Sequence, residues 1–203
     1  MDIFTYKIIP VIQIEHAEDA QALGEALVAG GLPVAEITLR TPAAAESIAI
    51  MSEIEGLTVG AGTVLTPQQV EMSVEAGAQF LVSPGFRTDV VREAKIIGKP
   101  ILPGVATPTE IMTVLANGID TVKFFPANLY GGPAAIKALS APFNTVKFVP
   151  TGGVNTGNLK DYLSLFCIPA VGGSWMVPVD LMRAHDFAAI AAKCKEAVEL
   201  AAA

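Results

Sequence analysis

The stretch VAEITLRTPAAAESIAIM, residues 34–51, changes its period half-way. Its first seven residues alternate, with Ala35, Ile37 and Leu39 as one apolar set and Glu36, Thr38 and Arg40 as the other, which is the pattern of a strand. From Thr41-Pro42 onward the apolar residues recur at helical spacing. A hydroxyl residue before proline suits a helix start. The unit is therefore a strand followed by a helix.

The same rhythm recurs along the chain. Strand candidates are KIIPVIQI, VAEITLR, LTVGAGTV, FLVSPG, PILPGV, TVKFFPA, VKFVPTGG and AVGGS. Helical patterns such as EDAQALGEALVAGG, TPQQVEMSVEAGA, TPTEIMTVLANG and GNLKDYLSLF lie between them. Thr66-Pro67, Thr107-Pro108 and Arg87-Thr88-Asp89 repeat the helix-start signal, and Gly30, Gly77 and Gly118 close helices. Strands alternating with helices predict a parallel sheet, and eight such units predict closure into a single (β/α)8 barrel. The 203 residues allow about 25 per unit, at the lean end for that fold. No linker divides the chain, so one domain is expected over residues 1–203. An open doubly wound sheet is the competing α/β architecture, but no G-x-G-x-x-G follows the first strand.

Composition narrows the partners. The formal net charge is -7, which leaves no basic stripe for nucleic acid. An anionic ligand must be held by local devices. Apolar residues make up 52% of the chain, a share that favours buried subunit contacts. The start, MDIFTYK, lacks the features of a signal peptide, and the charge-free run 162–179 is broken by Pro169, Gly172, Gly173 and Pro178. No membrane span is expected. Cys167 and Cys194 form no framework or metal spacing, which suits a reducing cytoplasm.

Parity then assigns the interior. In TVKFFPA, Phe124 falls with the helix-facing set, whereas Lys123 and Phe125 point inward with Glu36, Thr38 and Arg40. A lysine there has two readings. It is a structural partner for a buried acid, or it is a nucleophile that Val122, Phe124 and Phe125 strip of water, which favours the free base needed for Schiff-base chemistry. Spacing alone leaves both open.

Two glycine pairs end the seventh and eighth strands, in PTGGVN (150–155) and VGGSW (171–175). Glycine lets backbone N–H groups approach an anion, and the loops after strands 7 and 8 hold phosphate in many barrels. Thr151 and Ser174 add hydroxyls. The motif GAGT (60–63) puts Thr63 near Arg40, where the two suit a carboxylate. Only His16 and His185 exist, without metal-ligand spacing; both are expected on the surface. Ser83 reads as turn chemistry and Trp175 as packing near the second glycine loop.

Taken in order, EITLRT (36–41), GAGTVL (60–65), FLVSPG (80–85), LPGV (102–105), KFFPA (123–127), PTGG (150–153) and GGSWMVP (172–178) resemble the 2-dehydro-3-deoxy-phosphogluconate aldolases, a group that includes 4-hydroxy-2-oxoglutarate aldolases. The resemblance implies a homotrimeric lyase, free of metal and cofactor, that cleaves 2-dehydro-3-deoxy-6-phosphogluconate to pyruvate and glyceraldehyde 3-phosphate. It implies Lys123 as the imine-forming lysine and Glu36 as the proton-transferring acid. Arg40 and Thr63 would hold the carboxylate end, Pro84 and Phe125 would shape the site, and Thr151, Gly152, Gly153, Gly173 and Ser174 would receive the phosphate. Asn128 and Ala106 depart from the glutamate and serine common in relatives. Alternatives are cleavage of the phosphogalactonate analogue, or a phosphosugar isomerase or epimerase, which would need no covalent lysine.

Overall fold

A computed structural model of the chain describes residues 3–202. Nine short strands alternate with helices among these residues, save that β5 and β6 follow one another directly. The strands are β1 (Ile8–Ile12), β2 (Val34–Thr38), β3 (Thr58–Gly62), β4 (Phe80–Val82), β5 (Ile101–Leu102), β6 (Gly104–Val105), β7 (Thr121–Phe124), β8 (Lys147–Pro150) and β9 (Val171–Gly173). The main helices are α1 (Ala20–Ala29), α2 (Ala44–Ser52), α3 (Pro67–Glu75), α4 (Thr88–Ile97), α5 (Pro108–Ala116) and α6 (Gly132–Ser140), then the short α7 (Leu159–Leu163) and α8 (Val179–Arg183), and a long α9 (Phe187–Ala202).

All strand pairings are parallel. Six strands form one sheet in the order β5-β4-β3-β2-β1-β9, and three form another in the order β6-β7-β8. The fifth strand predicted from PILPGV is thus two strands. Pro103 divides it: with no N–H to give to a ladder, it ends β5, whose partner is β4, and its carbonyl accepts the Lys123 N–H on the β7 side. At the other junction a single bridge, Thr151 to Gly172, links the end of β8 to β9.

The helix starts follow the sequence unevenly. Thr66 and Thr107 each accept a backbone N–H three residues on, and Glu110 completes a reciprocal capping box with Thr107. Thr41 does not cap its helix. Its hydroxyl donates instead to the Ile14 carbonyl at 2.5 Å, and α2 begins only at Ala44. Arg87 precedes α4 without any side-chain cap; Asp89 accepts the Val90 N–H and pairs with Arg87. Gly30 caps α1, while Gly77 and Gly118 carry positive φ, a conformation that glycine adopts without the steric cost a Cβ would bring.

Apolar residues from both faces of the strands form one continuous core. Phe124 goes to the helix side as parity requires, meeting Phe148 edge to face with ring centroids 6.4 Å apart. The C-terminal helix α9, which no sequence pattern singled out, packs on α1, where Gly30 lies against Cys194. No described helix is long and apolar enough to cross a membrane.

Candidate active site

Lys123 and Glu36 meet. The lysine Nζ donates to Glu36 Oε1 at 3.0 Å and lies 3.5 Å from Oε2, and the two residues are only 6% and 3% exposed. The contact does not run between ladder neighbours. It joins β7 of the three-stranded sheet to β2 of the six-stranded one, across the space that the two sheets share. Both side chains therefore point inward, as the alternation in VAEITLR and TVKFF predicts. Lys123 also lies 5.6 Å from the centre of the Phe125 ring, which forms a wall on one side.

Glycine makes this contact feasible. Gly62, the last residue of β3, lies so close to Glu36 that a Cβ there would stand 2.3 Å from Oε1 and 2.7 Å from Cγ. Thr38, two residues beyond Glu36 and on the same face, is tied down by donating to the Ile12 carbonyl at 3.0 Å. The next residue of that set, Arg40, reaches into solvent, and its Nε donates to Thr63 Oγ1 at 3.1 Å. Thr63 has φ +58, a left-handed conformation that is costly for a β-branched residue and is held here at the mouth of the site.

A cavity of about 450 Å³ opens from Lys123 and takes in Arg40, Phe125, Thr151, both glycine pairs' loops and Ser174. Gly152 and Gly153 both have positive φ, and Asn128 packs on Gly153 closely enough to exclude a side chain there. The Asn128 backbone N–H donates to the Gly152 carbonyl, so this position is tied to the first glycine loop whichever side chain it carries. Ala106 N–H is bound by the Glu110 carboxylate at 2.8 Å, so the other departure leaves its loop anchored through backbone. Trp175 lays its six-membered ring against Gly173, the packing role its position suggested.

Three expected residues are not among those that line the cavity. Glu36 is bonded to Lys123, and Thr63 accepts from Arg40. Pro84 places its carbonyl against Gly104, where β6 begins.

A profile of the KDPG and KHG aldolases matches residues 2–193. The chain belongs to that family. It is 46% identical over 195 residues to a 2-dehydro-3-deoxy-phosphogluconate aldolase of Treponema pallidum (strain Nichols), covering 96% of this chain and 93% of the relative. It is also similar to the 2-keto-3-deoxy-6-phosphogluconate aldolase of Zymomonas mobilis ZM4 solved with 3-phosphoglycerate, at 44% identity and a TM-score of 0.91, covering 97% and 94% of the two chains. The KDPG aldolase of Legionella pneumophila, solved with pyruvate captured as a covalent carbinolamine intermediate, is 42% identical with a TM-score of 0.92 over 96% and 95%.

The cavity also contains features that sequence reasoning missed. Glu15, Asp19, Arg183 and His185 line its mouth. Both histidines are exposed, as expected, yet His16 and His185 border the cavity. The available signal was ordinal position: these residues sit in the segments after β1 and β9, on the same sheet end as the glycine loops.

Proposed function

We propose that this chain is a class I lyase that cleaves 2-dehydro-3-deoxy-6-phosphogluconate to pyruvate and glyceraldehyde 3-phosphate through a Schiff base on Lys123. The observation that carries it is the buried 3.0 Å contact between Lys123 and Glu36 at the base of an open cavity. A carboxylate in that position accepts the amine's proton, leaving a nucleophile in contact with the acid that it has just protonated.

The steps follow. The Lys123 nitrogen adds to the C2 ketone, giving a carbinolamine, and Glu36 returns a proton to the departing hydroxyl, which leaves as water. The resulting iminium draws the electron pair of the C3–C4 bond toward nitrogen, while Glu36, through a water, takes the C4 hydroxyl proton. The bond breaks to an aldehyde and an enamine. Protonation at C3 and hydrolysis of the imine free pyruvate and regenerate the amine. In this reading Arg40, positioned by Thr63, binds the carboxylate next to C2, and Phe125 closes one wall. Thr151, Gly152, Gly153, Gly173 and Ser174 receive the phosphate. That a Zymomonas relative binds a phosphorylated three-carbon acid, and a Legionella relative a pyruvate carbinolamine, supports both ends of the assignment.

The same proposal takes residues 1–203 as one domain whose two sheets close into a (β/α)8 barrel. In its favour are the Thr151–Gly172 bridge at one junction and the single residue, Pro103, at the other. It takes the enzyme as a cytoplasmic homotrimer, free of metal and cofactor. Exposed Leu129, Tyr130 and Phe166 supply apolar surface for subunit contacts, and sedimentation at a trimer's mass is the expected result. The chemistry is tested by reducing the protein with borohydride in the presence of pyruvate. A stable adduct mapped to Lys123 is expected; an unmodified Lys123 overturns the reading. Cleavage of the phosphogluconate substrate is expected to be faster than that of its C4 epimer, the phosphogalactonate analogue.

A further inference from the structure

The cavity is bordered by two side-chain pairs that the cleavage chemistry does not use. Arg183 Nη2 lies 3.1 Å from Glu15 Oε1, and His185 Nδ1 lies 2.8 Å from Asp19 Oδ1. Each pair links the segment between β1 and α1 to the turn that ends α8. They are not equivalent. Asp19 is 6% exposed and His185 sits at φ +51, stacked at a tilt on Phe187, so this pair fixes the turn. The Arg183–Glu15 pair has side chains 68% and 43% exposed, and a pair so open to water contributes little.

Charge gives the open pair a task. The protein carries a formal net charge of -7, and a phosphorylated keto acid brings both a carboxylate and a phosphate. Of the cationic groups on the cavity, Lys123 is engaged with Glu36 and Arg40 with Thr63. Arg183 belongs to the segment that follows Gly173 and Ser174, and lines the same cavity. A guanidinium offers two parallel N–H donors to a phosphate, and exchanging one exposed carboxylate for a dianion is favourable.

Resting on the lyase reading above, we propose that Arg183 is the charged ligand of the substrate's distal phosphate, with Glu15 as its resting counter-ion and the Asp19–His185 pair as the anchor that presents it. The glycine loops then supply shape and amide donors, and Arg183 supplies the charge.

The test compares kcat/KM for 2-dehydro-3-deoxy-6-phosphogluconate with that for 4-hydroxy-2-oxoglutarate, which has no phosphate. Arg183→Gln is expected to lower the ratio of the two by about tenfold, chiefly through KM for the phosphorylated substrate, the size of one charge-assisted contact. Arg183→Lys should restore part of it, and Glu15→Gln should raise it by releasing the guanidinium. A ratio unchanged in Arg183→Gln, or an equal fall on both substrates, overturns the assignment. Borohydride trapping of pyruvate serves as the control. Wild-type protein that fails it overturns the lyase reading itself, whereas a variant that passes it and keeps the wild-type ratio overturns the role of Arg183 alone.

Discussion

Lys123 and Glu36, 87 residues apart in the chain, share a hydrogen bond of 3.0 Å between strands of two different sheets. Each is buried, so each depends on the other. Lys123→Met should abolish cleavage and the pyruvate adduct, and should also destabilise the fold by about 3 kcal/mol because it leaves a buried carboxylate unpaired. Adding Glu36→Leu should recover most of the stability and none of the activity. Denaturant melts and adduct mass on the two variants check this. Glu36→Gln alone should lower kcat by roughly 10²-fold or more, the usual worth of a positioned acid or base.

Gly62 has a role that follows from that contact. A methyl group there would meet Glu36 Oε1 at 2.3 Å and force the carboxylate away from Lys123. Gly62→Ala should therefore lower kcat by about 10²-fold, since small displacements of catalytic groups cost that much, while circular dichroism stays unchanged. Wild-type kcat in this variant would show that the acid does not need its observed place.

Thr63 holds Arg40 at the cost of a left-handed backbone, φ +58. Thr63→Gly relieves a strain of about 1–3 kcal/mol and removes the hydroxyl that Arg40 donates to. The expected outcome is an equal or higher melting temperature together with a higher KM for keto acids, read from steady-state kinetics on the same preparation.

Glu110 links acid stability to the loop that follows β6. Burial pushes its carboxyl upward, but the Ala106 N–H, the Thr107 hydroxyl and the Thr107 N–H together hold it below the ordinary carboxylate range. Because the folded value is the lower one, its contribution is present above the ordinary carboxyl value and is lost as pH falls through the folded value. Glu110→Ala should cost about 1 kcal/mol at neutral pH, or about 2–4 °C in melting temperature for a chain of this size. The difference from wild type should vanish at acid pH.

Cys194 should be inert in the native state. Burial pushes its thiol up to about 12, and Cys167 is buried as well. A thiol reagent should react with both only as the protein unfolds, and native enzyme treated with it should retain its activity.

The sequence by itself determined the strand-and-helix rhythm, the inward set Glu36, Thr38, Arg40 and Lys123, and the two glycine loops. These are local properties: alternation, capping hydroxyls and glycine pairs are written within a few residues of one another, and the order of the motifs was enough to resemble a known family. Tertiary structure decided the rest. That Pro103 splits the fifth strand depends on which neighbours lie on either side of it, and that Thr41 serves Ile14 rather than its own helix depends on a carbonyl 27 residues away, just past the end of β1. The Pro84 carbonyl comes to lie against Gly104, Gly62 makes room for a carboxylate, and Glu15 meets Arg183 across 168 residues of chain. Periodicity tells which face a side chain is on. Which partner waits there is set by packing between distant segments, where burial and charge pairing, not local propensity, fix the outcome.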